Sequence, residues 1–220
     1  RVTVISNSSD VDAFRVPASE GKNFLDEHPY LKGSALVTYA GTLGKVNGVG
    51  YLVDIAADML KSDPSVRFFI AGLGQEWECV RERARAAGVW ERNLWMSRAL
   101  PKRQMPGLLS ASTVSVSTVI DVPELWNNSA NKFFEALAAG RPMLVNHQGW
   151  LAELIQKTGA GLVVPSGDPA AAAGLLRGFL ADKERMARAR DAAAHLADHD
   201  FNRERLFSQL VGILESAGRA

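Results

Sequence analysis

Short apolar runs rich in β-formers alternate with amphipathic helical stretches, and this alternation constrains the fold more than any other feature of the chain. Leu36 to Ala40 is the first run. A glycine-rich turn follows, then a stretch from Asn47 to Lys61 in which Leu52, Ile55, Ala56, Met59 and Leu60 recur at helical spacing. Val66 to Ala71 is the second run and ends in Gly72 to Gly74; the charged helix Gln75 to Ala87 stops at Gly88. Leu94 to Met96, Thr113 to Thr118, Pro142 to Asn146 and Leu162 to Val164 supply four more strands. Helices are expected at Met105 to Ala111, from about Ala130 to Ala139, at Trp150 to Gln156, after Asp168 to about Ala197, and from Asn202 to Ser216. Strands that alternate with helices pair in parallel through right-handed crossovers. The pattern predicts a doubly wound, Rossmann-like α/β sheet of about six strands, in the order 3-2-1-4-5-6.

The N-terminal part is less regular. Val2 to Ile5 reads as a further strand. The polar stretch Asp10 to Gly33 reads as an irregular connector or a hairpin, because Pro17 and Pro29 interrupt any long helix. The chain opens on Arg1 rather than Met, with no charged start and apolar middle of a signal sequence, so it is expected to be a piece of a longer protein.

Composition excludes several classes. With 220 residues and 47% apolar content, the chain can bury a core without disulfides or metals. Its 25 basic and 24 acidic residues leave no large field to draw in nucleic acid. Cys79 is the sole cysteine, which excludes an internal disulfide and a cysteine zinc cluster. His195 and His199 stand four apart with no third ligand near in sequence, so no metal is expected. No apolar run approaches the ~18 residues of a spanning helix. The basic run Lys183 to Arg190 is flanked by alanine and reads as a solvated face.

In a doubly wound sheet, ligands bind beyond the carboxyl ends of the strands where the order reverses. The loops leaving strands one and four at that switch are Gly41 to Gly48 (GTLGKVNG) and Val119 to Ser129 (VIDVPELWNNS). Gly41 and Gly44 allow tight turning and close approach of a ligand to the backbone. Backbone amides at such a turn suit phosphate, Lys45 can add charge and Asn47 can cap the helix. A plain strand-to-helix turn would also need glycine. A P-loop requires Ser or Thr after the lysine, and Val46 stands there; the dinucleotide fingerprint GxGxxG is absent from both glycine-rich turns. Beyond the second loop, Asn128 or Ser129 can cap a helix whose free amides face the switch. Lys132 and Glu135 share one face of it, while Phe133, Phe134, Leu137 and Ala138 take the buried side. Glu135 can accept hydrogen bonds from a pair of hydroxyls, as on a ribose, and Lys132 can approach a phosphate or sugar. An ion pair between the two is the plainer alternative.

Four stretches then resemble, in order, the C-terminal donor-binding domain of GT-B glycosyltransferases of family 4, closest to the bacterial O-antigen and capsule type. They are VISNSSDVDAF (Val4 to Phe14), YAGTLGKVNGVGYLVDIA (Tyr39 to Ala56), SANKFFEALAAGRPMLVN (Ser129 to Asn146) and GWLAELIQKTGAGLVVPSGD (Gly149 to Asp168). The third is the most specific. The resemblance implies half of a retaining glycosyltransferase. Residues 34–200 would form the nucleotide-sugar-binding domain, with 1–33 leading into it. Residues 201–220 would form a helix in it or returning to a missing N-terminal acceptor domain. It further implies that Gly41, Thr42, Leu43, Gly44, Lys45 and Asn47 face the pyrophosphate and that Glu135 holds the ribose. Ser97, Arg98, Ala99 and Leu100 would border the base with backbone groups. Asn128, Ser129, Ala130, Asn131 and Lys132 would contact phosphates or sugar, with Lys132 and Lys45 as the catalytic cations. Thr42, Asn47 and Asn127 stand where many relatives carry Arg, Lys and Glu.

The implied donor is a UDP-sugar, as a substrate, with no cofactor. The acceptor would be a lipid-linked glycan, reached through the other half, in the cytoplasm or at the inner face of the cytoplasmic membrane. A UDP-sugar epimerase of the same fold would need acid and base carboxylates in the cleft, and Glu135 alone is well placed on a helix. A non-catalytic nucleotide-binding or scaffolding module is a further alternative, which the departures at Thr42, Asn47 and Asn127 would favour if no nucleotide bound. An NAD enzyme lacks its fingerprint.

Overall fold

The structure, a computed structural model, describes residues 2–8 and 10–218. Arg1 and Ser9, the latter within the first family-like stretch, lie outside the described residues. Its elements run α1 (Val11–Phe14), α2 (Ala18–Glu27), β1 (Ala35–Ala40), α3 (Gly50–Ser62), β2 (Val66–Ala71), α4 (Trp77–Ala86), β3 (Leu94–Ser97), α5 (Met105–Ala111), β4 (Val114–Ser117), α6 (Asn131–Ala138), β5 (Met143–Val145), α7 (Trp150–Thr158), β6 (Gly161–Val163), α8 (Pro169–Ala181), α9 (Lys183–His195) and α10 (Arg203–Gly218).

One six-stranded sheet has the order β3-β2-β1-β4-β5-β6, and every pairing is parallel. This is the expected topology. The reversal lies at the β1–β4 pair, where Val37 faces Val114 and Thr38 faces Ser115. Both faces are covered, as a parallel sheet requires. Alternation along β1 divides the core: Val37 and Tyr39 join the layer of α3, α4 and α8, and Leu36 joins the layer of α2 and α5. The α6–α7 side is filled by Phe133, Phe134, Leu151 and Ile155, with Trp150 stacked on Phe134 and Phe201 meeting it edge to face.

The N-terminal expectations are corrected. Val2 to Ile5 forms no strand, and Val2 and Val4 stand exposed. A strand needs a neighbour to bond, and this segment pairs with neither edge strand, β3 nor β6. Asp10 to Gly33 is helical rather than irregular. Asp10 caps α1 by accepting from the Ala13 N–H at 3.2 Å, Pro17 precedes α2, and Pro29 opens a 3-10 turn. The prolines therefore punctuate helices, at positions where a missing N–H costs nothing. Gly21 of α2 lies against the backbone of Ser110 and Ala111, which brings α2 onto α5. Arg15–Asp198 at 2.9 Å and Arg203–Asp10 at 3.2 Å tie this segment to the C-terminal part.

Among the described residues, no helix is long and apolar enough to cross a membrane.

Candidate functional site

The first loop is built by close approach of two turns. The N–H of Gly41 donates to Ala71 O at 2.9 Å, that of Leu43 to Leu73 O at 2.9 Å, and that of Glu76 to Leu43 O at 2.9 Å. The loops after β1 and β2 therefore run back to back. A Cβ on Gly72 would collide with the carbonyl of Gly41, and one on Gly74 with the carbonyl of Leu43. The Gly72 to Gly74 pair that fails as a dinucleotide fingerprint thus has a packing reason.

Within the loop, Leu43 is fully buried and its backbone N–H and C=O are both engaged, so it plugs the core beneath the turn. Among the described residues, the N–H groups of Thr42, Gly44 and Lys45 have no hydrogen-bond partner in the chain. Asn47 does not cap a helix. It sits in a 3-10 turn, Lys45–Asn47, and α3 starts at Gly50 behind Val49. The Asn47 side-chain amide instead donates to Thr42 O at 2.7 Å, and the Asn47 backbone carbonyl accepts from Thr118 Oγ1 at 2.6 Å. It closes the loop on itself and onto the end of β4. Lys45 is exposed and lines a separate hollow with Tyr51, Arg83 and Ile120.

The second loop leads to α6, whose N-cap is Ala130, with no side-chain cap; neither Asn128 nor Ser129 bonds the first turn as expected. The Ser129 carbonyl and the Asn131 side chain instead accept from the Asn7 amide, each at 3.3 Å. Asn127 and Asn131 are exposed, and Asn128, Ser129 and Ala130 are half-buried. Phe133, Phe134, Leu137 and Ala138 take the buried side as the spacing predicts.

Lys132 and Glu135 share a face of α6, yet no ion pair joins them among the described residues. Lys132 reaches from the α6 layer to the end of β1. Its ammonium donates to the Tyr39 hydroxyl at 2.8 Å and lies 4.0 Å from the Tyr39 ring centre. A Cβ on Gly41 would sit 2.8 Å from Lys132 Cε. Burial lowers the Lys132 pKa from 10.5 to about 8, since the charged form loses water there. Glu135 is half-buried, with no hydrogen-bond partner for its carboxylate among the described residues. Burial raises its pKa, and Lys102 pulls it part of the way back.

Glu135 faces a hollow of about 390 Å³ at the carboxyl ends of β1, β2 and β3. Gly41 and Thr42 form one wall, Leu73, Ala99 and Leu100 another, and Lys102 and Met105 close it. Lys132 and Glu135 together line a narrow cavity behind it, with Thr38 and Ser115. Of the four residues expected after β3, Ala99 and Leu100 line the hollow. The Ser97 carbonyl is taken by the Gly72 N–H at 3.1 Å, and Arg98 turns to the Trp77 ring at 5.7 Å. Tyr39, Lys102 and Met105 were not anticipated. Tyr39 reads as an ordinary strand core residue, and Lys102 lies in an unpatterned Pro101 to Gln104 stretch; only the turn it occupies brings it to Glu135. Among the described residues, no group of three or more His, Cys, Asp or Glu is placed to hold a metal ion.

The arrangement can bind an elongated ligand with a diphosphate and a vicinal diol. Free N–H groups and an ammonium suit the former, an unpaired carboxylate the latter, and Leu73, Leu100 and Met105 supply apolar contact. The profile of a family described as "Glycosyl transferases group 1" matches residues 22–196. An alpha-D-kanosaminyltransferase of Streptomyces kanamyceticus is 23% identical over 210 residues, covering 96% of this chain and 51% of that protein. The chain thus spans about half the length of this curated relative. An Anabaena protein, HepE, crystallised with UDP and glucose, superposes with a TM-score of 0.83 at 19% identity, over 97% of this chain and 56% of that one. The C-terminal domain of a glycosyl transferase group 1 family protein from Francisella tularensis matches with a TM-score of 0.72 at 15% identity, over 87% of this chain and 97% of that one.

Proposed function

The chain belongs to the group 1 glycosyl transferases, and we propose that it is the donor-binding half of a retaining enzyme of that family. The donor is a nucleotide diphosphate sugar, with UDP as the nucleotide. One observation carries the reading: a half-buried ammonium, Lys132, and an unpaired carboxylate, Glu135, stand side by side at the switch point without neutralising each other. Each is thus left for a ligand group, the ammonium for the diphosphate and the carboxylate for the ribose hydroxyls. The complex of HepE with UDP and glucose supports the choice of nucleotide.

In the transfer, the bond between the anomeric carbon and the diphosphate oxygen breaks, and its electrons leave with the diphosphate. The acceptor hydroxyl forms the new bond to that carbon, and its proton passes to the departing diphosphate oxygen. Negative charge grows on the departing oxygen, where donors fixed in advance act most strongly. Lys132 and the N–H groups of Thr42 and Gly44 would supply that stabilisation, and Lys45 a more distant charge. Asn127 to Asn131 would border the sugar, and Ala99 and Leu100 the base. No metal or cofactor is required by this reading.

The acceptor site belongs to a second, N-terminal domain. The apolar side chains that α10 leaves exposed, Phe207, Leu210 and Leu214, support a contact with such a domain. The acceptor would be a lipid-linked glycan of a surface polysaccharide at the inner face of the cytoplasmic membrane. Calorimetric titration with UDP, GDP, ADP and NAD tests the donor reading. Selective binding of UDP is the expected result; preference for NAD, or no nucleotide bound by the full-length protein, overturns it.

A further inference from the structure

Tyr39 is fully buried at the carboxyl end of β1, yet its hydroxyl is not idle. It donates to Thr42 O at 2.7 Å. With its one proton used there, it meets Lys132 as an acceptor, and the ammonium donates to it at 2.8 Å. The same Thr42 carbonyl takes a second hydrogen bond from the Asn47 amide at 2.7 Å. One hydroxyl thus joins the glycine turn to the lysine of α6. Burial holds the phenol above its usual range, so it remains a neutral dipole.

The lysine has little else to hold it. The cavity around it is lined by Glu135 of its own helix, by Thr38 of β1 and Ser115 of β4, and by apolar Ala40, Met105, Leu109 and Val116. Glu135 forms no ion pair with it, and the hydroxyls of Thr38 and Ser115 bond each other at 3.4 Å. A flexible four-carbon stem with three donors would sample many positions. Here the Tyr39 ring under the ammonium and the hydroxyl beside it select one, and the missing Cβ of Gly41 leaves room for it.

We propose that Tyr39 is the positioning residue of the donor site: its hydroxyl fixes the Lys132 ammonium against the Gly41 to Gly44 turn, so that amine and turn present one preassembled anion site to the donor's diphosphate. This rests on the reading of Lys132 as a diphosphate contact. Neither partner alone would suffice, because Thr42 and Asn47 carry no charge and the turn offers only N–H groups. The hydroxyl does not touch the ligand; it acts through Lys132.

The test is UDP titration of the full-length protein between about pH 6 and 9.5, for the parent, Tyr39→Phe and Lys132→Met. Tyr39→Phe keeps the ring and removes the acceptor. The expected result is about tenfold or greater loss of affinity in both variants, the scale of a hydrogen bond to a charged group. In Tyr39→Phe the pH at which affinity falls should also move below that of the parent, because the buried ammonium has lost its one hydroxyl acceptor. Lys132→Met should show no such step. If Lys132→Met is weakened but Tyr39→Phe keeps both the parent's affinity and its pH step, the positioning role is overturned and the donor reading stands. If Lys132→Met binds as the parent does, the assignment of Lys132 falls, and this inference with it. Should Tyr39→Phe fail to fold, 3-fluorotyrosine placed at position 39 keeps the hydroxyl but weakens its lone pair. A pH step unchanged by that replacement also overturns the proposal.

Discussion

Lys132 and Glu135 stand one turn apart on α6 and do not pair: the ammonium is held by the Tyr39 hydroxyl at 2.8 Å, while the carboxylate faces a hollow beside Lys102. Opposite charges at this spacing commonly meet on a solvated helix. Here each has been drawn from water without gaining the other. Both carry a desolvation cost in the free protein, which a ligand with a diphosphate and a diol would offset.

Glu135→Gln should weaken UDP binding by about 1.5–3 kcal/mol, the range for a hydrogen bond to a charged group. It should not weaken the fold. The Glu135 pKa is raised in the folded state above its ordinary 4.5, so the folded chain holds the proton more tightly than the unfolded one. Stability from this group is present at low pH and is lost as pH rises through the folded pKa. At pH 7 the variant is therefore expected to melt at or above the parent temperature. Calorimetric titration and thermal unfolding check the two halves of this expectation.

Lys132→Met should behave likewise, with the opposite pH sense. The folded pKa of about 8 lies below the ordinary 10.5, so between these values the unfolded state binds more protons and stability rises with pH. At pH 7 the full cost of burying the charge is present, and removing it should leave the melting temperature unchanged or higher. The stability difference between variant and parent should shrink as pH climbs from 8 towards 10.5. Denaturant unfolding at several pH values measures it.

Gly72→Ala should cost about 3 kcal/mol, the upper range for overpacking, because the new methyl meets the Gly41 backbone carbonyl rather than a side chain that can swing away. Separating the two loops would also displace the N–H groups of Thr42 and Gly44. Urea unfolding should show the loss, and UDP affinity should fall in the folded fraction.

Phe201→Ser and Phe207→Ser should differ sharply although they lie near each other in sequence. Phe201 is 8% exposed and packs on Phe134 with ring centres 5.0 Å apart, whereas Phe207 is 61% exposed. The first change should cost about 3 kcal/mol or more. The second should alter the stability of this chain by less than about 0.5 kcal/mol. An equal loss from both would mean that α10 packs differently.

Periodicity along the chain determined the sheet. Parallel strands buried on both faces read as largely apolar runs, and the helices between them carry an apolar stripe, so the alternation gives a doubly wound parallel sheet; the order 3-2-1-4-5-6, expected as the common one of that class, is the order found. The two loops at that switch, and Glu135 on its helix, were legible for the same reason. What failed was local and depended on partners far along the chain. Val2 to Ile5 has the composition of a strand but lies beside neither edge of the sheet as a pairing partner. Asn47, Asn128 and Ser129 are good capping residues, yet Asn47 serves Thr42 and α6 begins without a side-chain cap. Pairing of Lys132 with Glu135, or of Lys132 with Tyr39 93 positions away, cannot be ranked from spacing; it is set by which group the sheet brings within hydrogen-bond reach in a site from which water is withdrawn. The sequence by itself thus determined the scaffold and where a ligand could sit, because those rest on repeated short-range burial. Only the tertiary structure decided which polar groups are spent on the fold and which are left free, because that depends on single contacts between distant residues.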